Sequence, residues 1–494
     1  MRCMMLMPAW EPTDVFFESF ADSQLTYWQP TGLMYVAAAL KQAGHEVRFI
    51  DGAFHSIDWI ALEAEKFCPE FIGIYSNLPM WENARKLFER LAEILPNAWL
   101  ATGGPTAIGL KEKIFKETHA LHFACTTEGD LVTPQLVNAL EKNEDITKIK
   151  GWVIRQKDGT LVNTGIAPLV EDLDSLPYPA RELSDDLHRY IPAPSTYIKL
   201  PITTMISSRG CFNRCIYCFH VNEKRKIRFR SARNMITEIE HCIEKYKVEE
   251  IRFFDDNFCG DYDRVMEFCQ LMMDRKLPVQ WYCNARVDNV DEKLLRTMKK
   301  AGCWCILFGI ESGVQKNLDM LQKNISLAQI RSAIKTAKKV GLKVYTPFIF
   351  GIPGETFEEG LESIRLAIEL DAHYVNFHSL APFPGSELYE NVGKYGRIVG
   401  HYSDYNFEKA SFVPFSMTRE QIQQLRKLAF RKFYFRPSYI LRRILSARTR
   451  HDFRVLRTGA KSLFHLLFNP HAFKLEDNGT PVAAPAETGP AKHT

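Results

Sequence analysis

The chain of 494 residues contains no uninterrupted apolar run long enough to cross a bilayer, which would need about 18 residues. It also lacks the head of a secreted protein. "MRCMMLMPAW" has one arginine and a short apolar run cut by Pro8, with no small-residue cleavage site behind it. It reads as a buried first strand, and the expected location is the cytoplasm. Cysteine is too sparse for a disulfide scaffold: twelve in the whole chain. In a reducing compartment, clustered cysteines point to metal or redox chemistry instead. Nine are scattered (Cys3, Cys68, Cys125, Cys242, Cys259, Cys269, Cys283, Cys303 and Cys305) and read as small buried apolar residues. A strongly basic body is missing too. The net charge is +4, yet residues 419–474 alone hold fourteen Lys and Arg against Glu420 and Asp452. The remainder is weakly acidic, which argues against a basic nucleic-acid groove. No internal repeat is present.

What is present is alternation. Strands are expected at 2–8, 46–51, 71–77, 98–104 and 121–126, with helically spaced apolar residues between them. Buried strands alternating with helices predict an α/β, doubly wound parallel sheet over 1–145. Ligands in such folds sit at the carboxyl ends of the strands. Those ends hold Ser76 and Asn77, then Thr102, Gly103, Gly104 and Pro105, then Glu128 and Gly129. Residues 146–200 read as a connector, with a hairpin around Asp158-Gly159 and a proline-rich crossing. From Ile202 six further strands alternate with helices expected at 231–246, 261–275, 290–301, 327–340 and 356–370. Residues 201–415 are therefore expected to form a partial (β/α)6 barrel, with function at the C-terminal ends of its strands. A basic helical C-terminal extension over 416–475 and a disordered tail over 476–494 complete the expected order.

The densest chemistry is "SSRGCFNRCIYCFHV" at 207–221, where Cys211, Cys215 and Cys218 are spaced C-x-x-x-C-x-x-C. A closed zinc site takes four protein ligands. His220 is poorly spaced for a tetrahedral knot, and no second C-x-x-C follows. Iron–sulfur clusters are the other thiolate-rich option. Three thiolates hold three irons of a 4Fe–4S cube and leave one open to the amine and carboxylate of a substrate.

"GCFNRCIYC" resembles the cluster loop of radical S-adenosylmethionine (radical SAM) enzymes, C-x-x-x-C-x-aromatic-C after the first barrel strand, with Tyr217 in the aromatic place. The resemblance implies a 4Fe–4S cluster on the three cysteines, SAM on the open iron, and a 5′-deoxyadenosyl radical from its cleavage. Under the resemblance, "FFDDNF" (253–258) meets the amino group of SAM through Asp255, Asp256 and Asn257. "NARVD" (284–288) points Arg286 at the SAM carboxylate. "FGIESG" (308–313) sets Glu311, with Ser312 beside it, toward the ribose hydroxyls or sulfonium. "GIPGET" (351–356), opening on Gly351, matches the adenine-contact loop, and "APFPGSELY" (381–389) the sixth-strand exit. The bland readings are a helix cap for the acids and a salt bridge for Arg286.

A doubly wound domain ahead of such a barrel is similar to the cobalamin-binding radical SAM family. "QPTGLMYVAAALKQAGHEVRFID" (29–51) resembles that family's first helix and second strand, and "ATGGPTA" and "TTEGD" resemble its corrin-cradling loops. This implies cobalamin against Ser76, Asn77, Thr102, Gly103, Gly104, Pro105, Glu128 and Gly129. Two departures stand out. D-x-H-x-x-G is absent and residues 8–30 contain no histidine, so the lower cobalt face is not expected to be His-ligated. Thr106 stands where the family often has histidine after "GGP". The implied activity is C-methyl transfer to an unactivated carbon, on a small-molecule or lipid-like substrate, with an electron donor such as flavodoxin or ferredoxin. The alternatives are an oxidative cyclase related to the anaerobic cyclase of bacteriochlorophyll synthesis and, more remotely, an RNA methylthiotransferase or a non-catalytic iron–sulfur scaffold. The methylthiotransferase needs further N-terminal cysteines and a C-terminal RNA-binding barrel; Cys3, Cys68 and Cys125 are isolated, and no nucleic-acid partner is expected. The basic C-terminus reads either as a helix packed over the barrel or as a peripheral contact with an anionic membrane.

Overall fold

The computed structural model of the protein describes residues 1–10, 27–219, 221, 226–400, 405 and 409–468. The tail expected to be disordered, 476–494, lies outside them. Strands β1 (Arg2–Met7), β2 (Glu46–Asp51), β3 (Phe71–Tyr75), β4 (Trp99–Gly103) and β5 (Phe123–Cys125) pair in parallel in the order β2-β1-β3-β4-β5. Alternation within β1 divides its side chains between two cores. Met4 and Leu6 join α2 (Ile57–Phe67) and α3 (Trp81–Ile94) on one face. Cys3 and Met5 join α1 (Thr31–Gln42) and α4 (Gly129–Glu141) on the other. Helices on both faces are the doubly wound arrangement that the buried strands predict.

The hairpin expected around Asp158-Gly159 is found there, and it belongs to the first sheet. Strands β6 (Trp152–Arg155) and β7 (Leu161–Asn163) continue the first sheet, β6 pairing antiparallel with β5. The sheet thus runs to Asn163, past the expected boundary at 145. Without the hairpin β5 would be an open edge, and buried Trp152, Val153 and Ile154 close it. Between Asn163 and the next sheet the connector forms only single helical turns.

The second sheet contains β8 (Ile202–Met205), then β11 (Glu250–Phe253), β12 (Gln280–Ala285), β13 (Cys303–Phe308), β14 (Lys343–Phe350) and β15 (Tyr374–Ser379), six parallel strands in sequential order. Between β8 and β11 lie two-residue strands β9 (Ser208–Arg209) and β10 (Arg228–Phe229), paired with each other. Helices α5 (Ala232–Tyr246), α6 (Tyr262–Asp274), α7 (Glu292–Lys300), α8 (Leu327–Lys339) and α9 (Phe357–Leu370) follow the strands. Each starts on a side chain that satisfies an orphan N–H: Ser231, Asp261, Asp291, Ser326 and Thr356, the last two with full capping boxes. The result is the partial (β/α)6 barrel.

Helix α10 (Arg419–Tyr434) covers the last strand. The Tyr434 hydroxyl donates to the Val375 carbonyl at 2.6 Å and accepts from its N–H at 3.0 Å, and buried Arg426 donates through Nε to the Phe377 carbonyl at 3.0 Å. This first part of the basic extension is therefore packed on the barrel. Two more helices follow, α11 (Pro437–Ser446) and α12 (Arg450–Phe468). No helix among the described residues is long and apolar enough to cross a membrane.

Candidate active site

The cysteines occupy a loop bracketed by the β9–β10 ladder. Ile216, 1% exposed, pins its centre: its N–H donates to the Leu321 carbonyl at 3.1 Å, and its carbonyl accepts from the Leu388 N–H at 2.8 Å. The Cys218 N–H closes a turn on the Cys215 carbonyl at 3.1 Å. Cys215 is buried, Cys211 and Cys218 are half-buried, and the Asn213 side-chain amide donates to the Cys211 sulfur at 3.4 Å. A hydrogen bond with Cys218 holds the Cys215 thiol down at about 6, with Lys323 and Arg286 adding to the effect against burial. Cationic surroundings of this kind favour thiolates, the ligand form for iron. Among the described residues no three His, Cys, Asp or Glu side chains converge on one point as ligands of a single ion would. A four-iron cube instead offers each thiol its own iron. His220 lies outside the described residues.

Lys323 was not among the expected site residues. It is buried beneath the loop, where its ammonium donates to Glu311 Oε1 at 2.9 Å and to the Tyr217 hydroxyl at 3.3 Å. Glu311 itself sits at φ 73°, held by backbone bonds to Pro347 and Ile349 on the neighbouring strand. A side chain at Gly309 would place Cβ 2.7 Å from Glu311 Oε1 and 2.9 Å from Lys323 Nζ, so that glycine makes room for the pair.

The other expected SAM residues divide by what they touch. Asp255 is fully engaged: it accepts from the N–H of Ser207 at 2.7 Å and of Ser208 at 3.0 Å, and from the Ser207 hydroxyl. It ties the end of β8, where the cysteine loop begins, to the end of β11. Asn257 donates to Asn289 Oδ1 at 2.8 Å and accepts from the Arg286 N–H at 3.3 Å. Arg286 forms a bidentate pair with Asp288, 2.9 Å for each bond, and donates to the Lys323 carbonyl at 2.8 Å. Ser312 is buried against the Ser363 hydroxyl of α9 at 3.2 Å. The Gly351 N–H, with that of Ile352, donates to buried Glu355 at 2.8 and 3.1 Å. Asp256 differs from all of these. It has no hydrogen-bond or ion-pair partner among the described residues and is exposed into a cavity, where desolvation by the walls and then neighbouring Asp255 raise its carboxyl above the usual range.

That cavity, about 500 Å³, lies between the two sheets. On the first sheet's carboxyl edge it is lined by Gly73, Ile74, Thr102, Gly103, Gly104, Pro105, Glu128 and Gly129, and on the barrel side by Gly210, Cys211, Phe254 and Asp256. Gly104 is at φ 99°, and a Cβ there would meet the Ser76 carbonyl at 2.6 Å, so the close packing of this cavity-lining loop on the end of β3 needs glycine. Ser76 and Asn77, expected to touch the same ligand, do not line it. The Ser76 hydroxyl accepts from Thr102 at 3.0 Å and donates to the Gly103 carbonyl at 3.2 Å, and Asn77 Oδ1 accepts from the Met80 N–H at 3.0 Å. Both hold the loop rather than present a polar group. Glu128 lines the cavity but is paired with Arg228 at 2.8 and 2.5 Å, beside Asp130 paired with Arg209 at 2.6 and 3.0 Å. These ion pairs join the sheets across the cavity rim. No histidine is among the described lining residues. An apolar floor with glycine backbone suits a broad macrocycle bound without an imidazole from this wall.

Residues 205–367 match the Radical SAM superfamily and residues 21–137 the B12 binding domain, together more than half of the chain. An uncharacterised methyltransferase of Pyrococcus horikoshii is 29% identical over 84% of this chain and 90% of its own. The anaerobic magnesium-protoporphyrin IX monomethyl ester cyclase of Rubrivivax gelatinosus is 26% identical over 84% of this chain and 75% of its own. Among solved structures, the cobalamin-dependent S-adenosylmethionine radical enzyme OxsB, with aqua-cobalamin and S-adenosylmethionine bound, shares the fold at a TM-score of 0.73. The likeness covers 94% of this chain and 72% of that one, at 15% identity. With both matches in one chain, over the two sheets that face each other across the cavity, the protein belongs to the cobalamin-binding radical SAM family, whose cofactors are a 4Fe–4S cluster, SAM and cobalamin.

Proposed function

We propose that the protein transfers a methyl group to an unactivated carbon of a small-molecule or lipid-like substrate. The observation that carries this reading is that the first sheet's glycine loops and Cys211 of the cysteine loop line one cavity together. When bound, the cluster and SAM supply hydrogen abstraction from carbon, and cobalamin supplies the methyl group that takes the hydrogen's place. Cys211, Cys215 and Cys218 hold the cluster, and Lys323 and Arg286 favour the thiolate form of Cys215. Lys323 also fixes Glu311 and Tyr217 as one wall of the SAM site. Asp256, the unpaired acid of the 253–258 motif, is the group left to accept from the ammonium of SAM or from a donor on the substrate. Gly103, Gly104, Pro105 and Gly129 bring backbone against the corrin, Ser76, Asn77 and Glu128 position the loops that do so, and Asp255 positions the start of the cysteine loop. The chain's contribution is proximity and exclusion of water from a reactive intermediate. A low-potential donor of the flavodoxin or ferredoxin type is the expected redox partner.

The relative from Rubrivivax gelatinosus keeps a cyclisation as the second reading. The products separate the two. With SAM, hydroxocobalamin, a low-potential reductant and deuterium-labelled candidate substrates, methyl transfer releases both S-adenosylhomocysteine and 5′-deoxyadenosine and returns a product heavier by one methyl. Substrate turnover with 5′-deoxyadenosine and no S-adenosylhomocysteine contradicts it and favours the cyclase-like reading.

A further inference from the structure

Helix α11 is amphipathic in the opposite sense to the barrel helices. Its inward contacts are polar-tipped: the Tyr439 hydroxyl donates to the His373 carbonyl at 3.0 Å, Arg442 pairs with Asp371, and Arg443 reaches the Tyr374 hydroxyl at 3.5 Å. Ile440, Leu441, Ile444 and Leu445 recur at the three-and-four spacing of one helix face. That face is turned outward, the four side chains being 37, 57, 55 and 60% exposed. Phe453 at the start of α12, 61% exposed, adds to the apolar surface. The two helices carry mostly positive charge, although Arg442 is paired with Asp371 of the barrel. Residues 437–461 hold seven Lys and Arg against one acid, Asp452, and that acid is engaged by the N–H groups of Arg448 and Thr449 at 3.1 and 2.9 Å.

We propose that α11 and the start of α12 form a peripheral docking site for an anionic phospholipid bilayer. The apolar stripe enters the acyl boundary, and the exposed arginines meet headgroup phosphates. A second copy of the chain is a poor occupant, because an isologous contact would set these arginines against each other. The stripe is a convex helix face, and a flat anionic surface satisfies both its apolar and its basic side chains.

The placement also says what this contact is not. Helix α11 packs at the start of β15, and α12 packs on Tyr197 ahead of β8, with Arg454 reaching the Tyr197 hydroxyl at 3.3 Å and the His451 ring tilted against the Tyr197 ring at 4.6 Å. Both lie at the N-terminal ends of the barrel strands, whereas the cysteines and the barrel wall of the cavity lie at the C-terminal ends. Docking therefore tethers the barrel by the end opposite its site. It does not by itself deliver a lipid to the cavity, and it holds whichever reaction the site performs.

The test is sedimentation of the full chain with phosphatidylcholine vesicles and with vesicles containing phosphatidylserine. Protein is expected to pellet with the anionic vesicles only, and less so at high salt. Leu441→Glu with Leu445→Glu should lower that partition by about tenfold or more, while SAM cleavage by the reconstituted protein stays unchanged and reports an intact fold. Equal or absent pelleting with both vesicle types overturns the proposal, as does a double variant that pellets like the wild type. A concentration-dependent dimer abolished by the same variant also overturns it, assigning the face to a second copy.

Discussion

Single residues show where sequence reading succeeds and where it stops. Glu311 is legible because a carboxylate between glycines at a strand end is rarely there for packing. The structure adds that Gly309 clears space for its partner. That partner, Lys323, has no motif around it and reaches the site only because the chain returns beneath the cysteine loop. Asp255 and Glu128 are legible as members of motifs, but their partners, Ser207 and Arg228, are set by tertiary contact, so their tasks are not. Glu355 is a further case. Burial pushes its carboxyl up to about 8, while backbone donation from Gly351 and Ile352 pulls the other way. An acid whose folded pKa is raised contributes stability that is full below its unfolded value of 4.5 and is lost as pH climbs through about 8. The Asn317 amide faces it at 3.5 Å with Oδ1 unbonded, a ready acceptor for a protonated acid once the amide turns. Glu355→Gln is uncharged and keeps the acceptor for the two N–H groups. It should be more stable than the wild type at pH 8 by on the order of 1–3 kcal/mol, with the difference closing toward pH 5. Urea unfolding at the two pH values measures this; parallel profiles would count against the buried-acid account.

At the scale of elements, the strands are legible because each is a short apolar run bounded by turn residues, and the helices because their caps are written beside them. Pairing is less so. The hairpin at 151–165 reads as a hairpin from Asp158-Gly159, but nothing local says that it extends the first sheet. The basic extension likewise reads as helical without saying that α10 closes the edge of β15. Tyr434 satisfies both backbone groups of Val375, so Tyr434→Phe leaves them without that partner. A loss of about 1–3 kcal/mol follows from the unmade bonds. It should appear as a lower denaturation midpoint, with SAM cleavage at 25 °C retained because the hydroxyl is remote from the cysteine loop. A variant as stable as the wild type would mean that the edge is covered by apolar packing alone.

The molecule as a whole is two α/β units facing each other across one cavity, and their joint is polar. Glu238 of α5, fully buried, is flanked by Arg181 of the connector at 2.7 Å and by Arg230, and Arg230 also donates to the Tyr35 hydroxyl of α1 at 3.3 Å. Removing one partner from such a triad is costly, which makes it a device for fixing orientation more than for adding stability. These residues lie far apart in sequence and no spacing announces them. The pairing of a doubly wound unit with a partial barrel is legible all the same, because each has its own period and its own motifs. The central claim is that Cys211, Cys215 and Cys218 are the ligands of a cluster whose open iron takes SAM. It is tested most directly by counting iron and sulfide, and 5′-deoxyadenosine formed from SAM under a low-potential reductant, in the reconstituted wild type and in each Cys→Ala variant. The account predicts about four of each per wild-type chain and no 5′-deoxyadenosine from any variant; nucleoside formation that persists in one of them contradicts it.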